Sequence, residues 1–143
     1  MNNIDIMNYW IKSSDEDYKV MNVLYKNKKN SHCLFFGHLV IEKLFKALYA
    51  KNNKSVPYAP KTHSLLLLVE KCNLDIDEEV VKKLQVIDTF NIGARYDDYK
   101  NSFNKKCTNE YTSEQIKNIK TNYKMSIVLK KEFKNFLKRF LAW

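Results

Sequence analysis

The longest apolar stretch that still carries regularly placed charge is 31–50, and it is the predicted centre of the fold. Its apolar residues recur at spacings of three and four, as in an α-helix, and cover most of the helix circumference. They are Leu34, Val40, Ile41, Leu44, Phe45 and Leu48, with Phe36, Leu39 and Tyr49 widening the apolar surface. We predict that this helix lies in the middle of a helical protein, is capped by Ser31 and runs to about Lys51.

The same periodicity predicts three more long helices and one short helix. Their predicted bounds are 1–27 for the first helix, 63–71 for the short third one, about 77–96 for the fourth, and 112–143 for the last. Thr62 is the predicted N-cap of the third helix, and Thr112 with Gln115 forms a predicted capping box for the last. The polar stretches 52–61 and 97–109 are predicted to be loops.

The first helix has an alternative start within its own sequence. Ser13 and Glu16 have the spacing of a capping box, which would begin a helix at that point. We favour a continuous helix from the N-terminus, because Trp10 and Ile11 then join the same apolar face as the residues that follow them.

Composition favours helices over sheets. The 143 residues include only two Gly and two Pro, and a β-sandwich or barrel needs more turns than so few of these residues allow. We therefore predict an all-α fold, a four- to five-helix up-and-down bundle that forms one domain over residues 1–143. No apolar run is long enough for a membrane span, and the first ten residues lack the pattern of a secretory signal.

Cysteine and histidine spacing predicts neither a metal site nor a cofactor. The three cysteines are Cys33, Cys72 and Cys107, and the three histidines are His32, His38 and His63. None of these residues has zinc-ligand spacing, and the two isolated glycines exclude a phosphate-binding glycine loop. We predict buried, free thiols and a cytoplasmic location, because the cytosol keeps thiols reduced.

The formal net charge of +9 points toward polyanions such as RNA or nucleotides as partners. The predicted last helix carries eight basic residues against the acidic Glu114 and Glu132. Its basic residues are Lys117, Lys120, Lys124, Lys130, Lys131, Lys134, Lys138 and Arg139. A simple solvated lysine face is the alternative interpretation.

Arg95 is notable because only two of the 25 basic residues are arginines. A guanidinium can grip phosphate or carboxylate with two parallel hydrogen bonds, which an ammonium cannot do. Arg95 stands beside Tyr96 and the acidic pair Asp97 and Asp98, near the end of the fourth predicted helix. It is therefore a candidate phosphate ligand, and a helix-end ion pair with one of these acids is the alternative.

Four motifs, in this order, resemble the HEPN domains, which are named for higher eukaryotes and prokaryotes and for nucleotide binding. An aromatic residue followed by the acidic run D-E-D-Y, within 10–18, resembles the opening of the family's first helix. The block I-E-K-L-F-K-A-L at 41–48 is similar to its second-helix signature. T-H-S-L at 62–65 and A-R-Y at 94–96 resemble the motifs of its third and fourth helices.

This resemblance implies a helical bundle that usually forms a homodimer. Many prokaryotic members of the family act beside a minimal nucleotidyltransferase, often as toxin–antitoxin pairs. Some members are metal-independent ribonucleases, whose motif is an Arg, a spacer of four to six residues and a His. Here Arg95 matches that motif, but Lys100 stands where the first His is expected, and no His follows His63. The resemblance therefore implies a nucleotide- or RNA-binding protein that lacks the complete ribonuclease motif.

The expected site combines the resemblance with the residue pattern. Arg95, Tyr96, Glu42 and Lys46 are the candidate nucleotide- or phosphate-binding residues. Glu42, with Lys46 one turn later and His38 one turn earlier, forms a predicted polar seam that faces Arg95.

The alternative is an endoribonuclease with a degenerate centre. It would use Arg95 and Glu42, with Lys100, Tyr99 or His63 in place of the missing His. We expect His63 to act mainly as a local cap at the start of the third helix.

Overall fold

The fold is all-helical over residues 2–95, 97–121 and 123, which the computed structural model describes, apart from the side chains at 94, 95, 97 and 98. Five helices are α1 (Asn3–Lys26), α2 (Asn30–Asn52), α3 (Leu65–Lys71), α4 (Glu78–Arg95) and α5 (Asp97–Lys106). A sixth, α6, begins at residue 109 and is described through residue 121 and at residue 123. The predicted helical bundle is confirmed, but six helices in the described residues exceed the predicted four to five.

Helices α1 and α2 form an antiparallel pair along their full length. Near their connection, the thiol of Cys33 lies 3.4 Å from the carbonyl oxygen of Met21. Midway, the hydroxyl of the buried Ser14 donates to the carbonyl oxygen of Val40 at 2.9 Å. The first helix is therefore continuous, as predicted, and Ser13 lies inside it rather than at its start.

The central position predicted for α2 is confirmed, because α2 packs against α1, α3, α4 and α5. The contacts of α2 also give the direction of α4. Cys72, which ends α3, lies against Phe45, whereas Asp88 in the middle of α4 lies against His38, two turns earlier in α2. Helix α4 therefore runs back along α2 in the opposite direction, and brings one of its carboxylates to the middle of the bundle.

The N-cap of α3 is Ser64, and the prediction of Thr62 is wrong. The Ser64 hydroxyl accepts the backbone N–H of Leu67, whereas Thr62 accepts the N–H of Ser64 one step earlier. Both side chains are suitable caps, and the helix that begins after Ser64 buries both Leu65 and Leu68 in the core.

The predicted loop at 97–109 is wrong, because α5 occupies most of it. This segment is polar on average, but its Phe103 is buried and packs directly on Gly93 and Phe90 of α4. Burial of the Phe103 ring against α4 stabilises α5 as a helix, although most other residues of this segment are polar.

Two further predicted caps are also wrong. Helix α2 begins at Asn30, one residue before Ser31, and has no side-chain cap. Helix α6 is capped by Thr108, whose hydroxyl accepts the N–H of Tyr111 at 3.1 Å. The predicted capping box of Thr112 and Gln115 therefore lies inside α6, where both side chains are buried.

Most of the predicted lysine-rich face lies outside the described residues. Of its eight basic residues only Lys117 and Lys120 are described, both on α6. Among the helices that the structure describes, none combines the length and the apolar character required to cross a bilayer.

Candidate functional site

The site is built around Glu42, a carboxylate on α2 that is only 3% exposed. Its Oε1 atom accepts the Lys46 ammonium at 2.8 Å, and its Oε2 atom accepts Nδ1 of His63 at 3.1 Å. Burying a carboxylate is costly unless such partners replace its water, and these two contacts do so for Glu42.

Lys46 is held between a carboxylate and an aromatic ring. Its ammonium lies 5.1 Å from the centre of the Trp10 ring on α1, in addition to its ion pair with Glu42 one turn earlier. The predicted Glu42–Lys46 pair is thus present. Because its charge is already matched inside the bundle, Lys46 mainly neutralises Glu42, and its contact with a ligand stays a prediction.

His63 is the residue that connects this buried pair to solvent. It precedes α3, its side chain is 50% exposed, and its Nδ1 contacts Glu42. Since an ionised carboxylate can only accept, Nδ1 carries the proton, and Nε2 is the ring nitrogen left for solvent or a ligand. The expected capping role is wrong, because Ser64 caps α3 and the His63 ring turns toward α2.

His38 and Asp88 complete the cluster on its inner side. The fully buried His38 has its Nε2 atom 2.9 Å from the carbonyl oxygen of His63 and 3.3 Å from Oδ1 of Asp88. Its Nδ1 atom lies 3.5 Å from Oε2 of Glu42. Asp88 also accepts the backbone N–H of Leu65 at 2.9 Å. We call His38, Glu42, Lys46, His63 and Asp88 the polar cluster.

Helical spacing in the sequence predicts part of this cluster. The predicted seam of His38, Glu42 and Lys46 was read from helical spacing, and all three side chains are in the cluster. Asp88 was missed altogether, because nothing in the α4 sequence distinguishes it from the other acidic residues of that helix. The one signal for His63 was the T-H-S-L motif, which marked the residue without showing its contact with Glu42.

Arg95 is the last residue of α4, seven residues after Asp88, which is about 10 Å along the helix. The side chain of Arg95 and all of Tyr96 lie outside the described residues, so the predicted contact between Glu42 and Arg95 stays a prediction. Tyr99 and Lys100 follow on α5, and both are exposed.

The polar cluster provides side chains suited to binding and to proton transfer. Within the described part of the chain, no group of three or more His, Cys, Asp or Glu residues is arranged to hold a metal ion. Burial raises the pKa of Cys33 to about 12 and the pKa of Cys72 and of Cys107 to about 11, so these thiols are protonated and unreactive near neutral pH. A histidine oriented by a carboxylate, in contrast, is the usual arrangement of a general acid or base.

Comparison with known proteins gives a family. Searches of curated proteins and of solved structures found no match. The family model described as HEPN domain matches residues 7–129, which includes the polar cluster and Arg95. Since the match covers most of the 143 residues, the chain belongs to the HEPN domain family.

Proposed function

We propose that this protein is a cytoplasmic nucleotide- or RNA-binding protein that acts as a homodimer with a minimal nucleotidyltransferase, in a toxin–antitoxin type pair. Membership in the HEPN family supports a nucleotide- or RNA-related function in general. The half-exposed His63, held on the buried Glu42, is the observation that carries the proposal for this chain. It provides a fixed polar group at the surface of a protein with a net charge of +9.

Binding without turnover is favoured because the charge of Glu42 is already paired within the protein. Glu42 is matched by Lys46 and His63, so it is not a free acid for substrate chemistry. In the proposed site the Arg95 guanidinium contacts a phosphate group of the ligand, and His63 contributes Nε2 as a hydrogen-bonding atom. The ribonuclease motif also lacks its histidine after Arg95.

Titration with ATP and with a labelled single-stranded RNA of about 12 nucleotides tests this proposal. We expect affinity that falls as salt rises, and a further loss in Arg95→Ala that Arg95→Lys restores only in part. Lys19→Ala is the matched control, because it removes one positive charge from an exposed site on α1. If Arg95→Ala and Lys19→Ala lose equal affinity, Arg95 contributes only its positive charge and does not contact the phosphate.

The proposed pairing with a minimal nucleotidyltransferase has its own test. Co-expression with a minimal nucleotidyltransferase encoded in the adjacent gene should yield a complex that co-purifies through size-exclusion chromatography. If no such gene is adjacent, or the two proteins elute separately at micromolar concentration, the partner assignment fails while nucleotide or RNA binding is judged separately.

A second candidate function is metal-independent RNA cleavage, which the Glu42–His63 contact specifically favours. Nε2 of His63 would take the proton of a 2′-hydroxyl as that oxygen attacks the adjacent phosphorus, and Arg95 would stabilise the phosphorane. The bond from phosphorus to the 5′-oxygen then breaks, and the 5′-oxygen takes a proton from water.

Cleavage has a distinct product. Purified protein, with chelator present, should give RNA fragments with 2′,3′-cyclic phosphate ends, and His63→Gln and Arg95→Ala should each remove that activity. Expression of the active protein should also arrest growth. RNA that stays intact over hours, together with normal growth, leaves the binding function as the better account.

A further inference from the structure

The backbone that carries His63 is held from both sides by side chains of two other helices. The imidazole of His38 on α2 donates through Nε2 to the carbonyl oxygen of His63 at 2.9 Å. The carboxylate of Asp88 on α4 accepts the N–H of Leu65 at 2.9 Å. These two bonds bracket Ser64, so the short segment 63–65 is attached to both α2 and α4.

The direction of each hydrogen bond follows from the chemistry of the atoms. Nε2 of His38 faces two oxygen acceptors, the carbonyl of His63 and Oδ1 of Asp88 at 3.3 Å, so this nitrogen must carry a hydrogen. Oδ1 of Asp88 in turn receives N–H groups from His38 and from Leu65. The Nε2–H group of His38 and the Oδ1 atom of Asp88 therefore both form hydrogen bonds to the backbone of residues 63–65.

Helix capping alone does not explain this pair. The first N–H groups of a helix need partners outside it, and Ser64 already supplies one for Leu67. Asp88 caps Leu65 from a different helix, although a local hydroxyl or water serves this purpose at most helix ends. His38 contacts no N–H of α3, because its partner is the carbonyl of His63, the residue whose ring reaches Glu42.

We infer that His38 and Asp88 are positioning residues for His63. They fix the 63–65 backbone so that Nδ1 of His63 stays on Glu42 while Nε2 faces outward. The orientation of His63 thus depends on the spacing of α2 and α4, the two helices that carry this pair. The importance of this orientation for a ligand rests on the proposed function, whereas the fixed geometry itself can be measured without any ligand.

The first measurement follows the free protein by NMR in His38→Leu and Asp88→Leu, with His38→Gln and Asp88→Asn as conservative variants. We expect amide exchange of Leu65 to accelerate about tenfold or more in the Leu variants, because one supporting hydrogen bond is lost. The His63 ring nitrogens should also lose the signature of an Nδ1–H donor. His38→Gln keeps an N–H donor and Asp88→Asn keeps an acceptor, so both should stay close to wild type.

The second measurement is a double-mutant cycle on the affinity for the labelled single-stranded RNA. His38→Leu and His63→Ala should each weaken binding roughly tenfold, and the double variant should be no weaker than His63→Ala alone. If His38 has a purely structural role, the losses of affinity in His38→Leu and His63→Ala should add in the double variant. Melting temperatures of all variants distinguish a loss of folding from a loss of the His63 orientation.

Each outcome decides a different part of the inference. Unchanged Leu65 exchange and an unchanged His63 ring in both Leu variants would overturn the positioning role, as would additive losses of affinity. Wild-type protein that binds neither RNA nor ATP would defeat the proposed function, and the NMR comparison would still decide whether His63 is positioned. If a Leu variant does not fold, Asp88→Ala serves as the disrupting variant and Asp88→Asn as its control, because the Asp88 side chain is 22% exposed and tolerates truncation more readily.

Discussion

Nδ1 of His63 lies 3.1 Å from Oε2 of Glu42, so an imidazole at the surface is joined to a carboxylate in the core. The same carboxylate accepts the Lys46 ammonium at 2.8 Å. The exposed histidine and the buried lysine therefore share one anion, and the loss of that anion affects the stability of the bundle and the order of the site together.

Glu42→Ala should destabilise the protein by about 3–5 kcal/mol, because it leaves the Lys46 ammonium buried without its counter-charge. Urea unfolding measures this loss. The double variant Glu42→Leu/Lys46→Met should recover most of it, since neither charge is then buried.

The matched control for Glu42→Ala is Glu16→Ala on α1. Glu16 pairs with Lys19 at 3.2 Å, but both side chains are mostly exposed, so its loss should change stability by less than about 1 kcal/mol. Similar effects of the two substitutions would mean that the buried pair contributes no more than a surface pair.

Sequence periodicity predicted the elements whose burial is spread over many residues. Helix α2 repeats its apolar residues over six turns, and its central place followed from that repetition. Helix α5 was missed because its packing on α4 depends on one residue, Phe103, which a pattern of spacing cannot distinguish from an exposed aromatic. The caps of α3 and α6 were misplaced by two and by four residues, because neighbouring Ser and Thr residues are equally suitable by sequence.

The site was predicted only where its contacts are local. Glu42 and Lys46 are four residues apart on one helix, and that pair could be read from the sequence. His63 is 21 residues from Glu42, and Asp88 is 50 residues from His38. Contacts at such separations depend on how helices pack, which a single sequence does not specify.

Gly93→Ala should destabilise the packing of α5 on α4. A Cβ atom at position 93 would lie 2.5 Å from Cγ of Phe103, in a rigid ring that cannot bend away. We expect a net loss of about 1–3 kcal/mol, although alanine favours helix by up to about 1 kcal/mol over glycine. Thermal unfolding measures it, and adding Phe103→Leu should restore part of the loss. A stabilised Gly93→Ala variant would show that α5 moves away without cost.

Tyr123→Phe should loosen α6 from α1. The Tyr123 hydroxyl donates to Oδ1 of Asp15 at 2.8 Å, and its ring stacks on Tyr18 with centroids 4.0 Å apart. Phenylalanine keeps the stacking and loses a hydrogen bond to a charged group, so we expect a loss of about 1.5–3 kcal/mol in urea unfolding. Tyr9→Phe is the control, because that ring is largely exposed and its change should be close to neutral.

The buried thiols give a prediction about alkaline pH. Burial raises the pKa of Cys33 to about 12 and those of Cys72 and Cys107 to about 11, from an ordinary value of 9.0. The folded protein therefore holds these protons more tightly than the unfolded chain. Their contribution to stability is complete below about pH 9 and is lost as pH rises toward the folded values.

Urea midpoints measured from pH 7 to pH 11 should thus fall above about pH 9, and a variant with all three cysteines replaced by alanine should show a shallower decline. At pH 8 an aromatic disulfide reagent should react with native protein far more slowly than with unfolded protein. In the folded state the cysteines are protonated and the reagent cannot reach them. Rapid reaction of all three thiols in the folded state at pH 8, without loss of helicity, would contradict their burial. A decline equally steep in the alanine variant would assign the alkaline effect to other groups, such as Tyr123, whose pKa is raised by burial and by its hydrogen bond to Asp15.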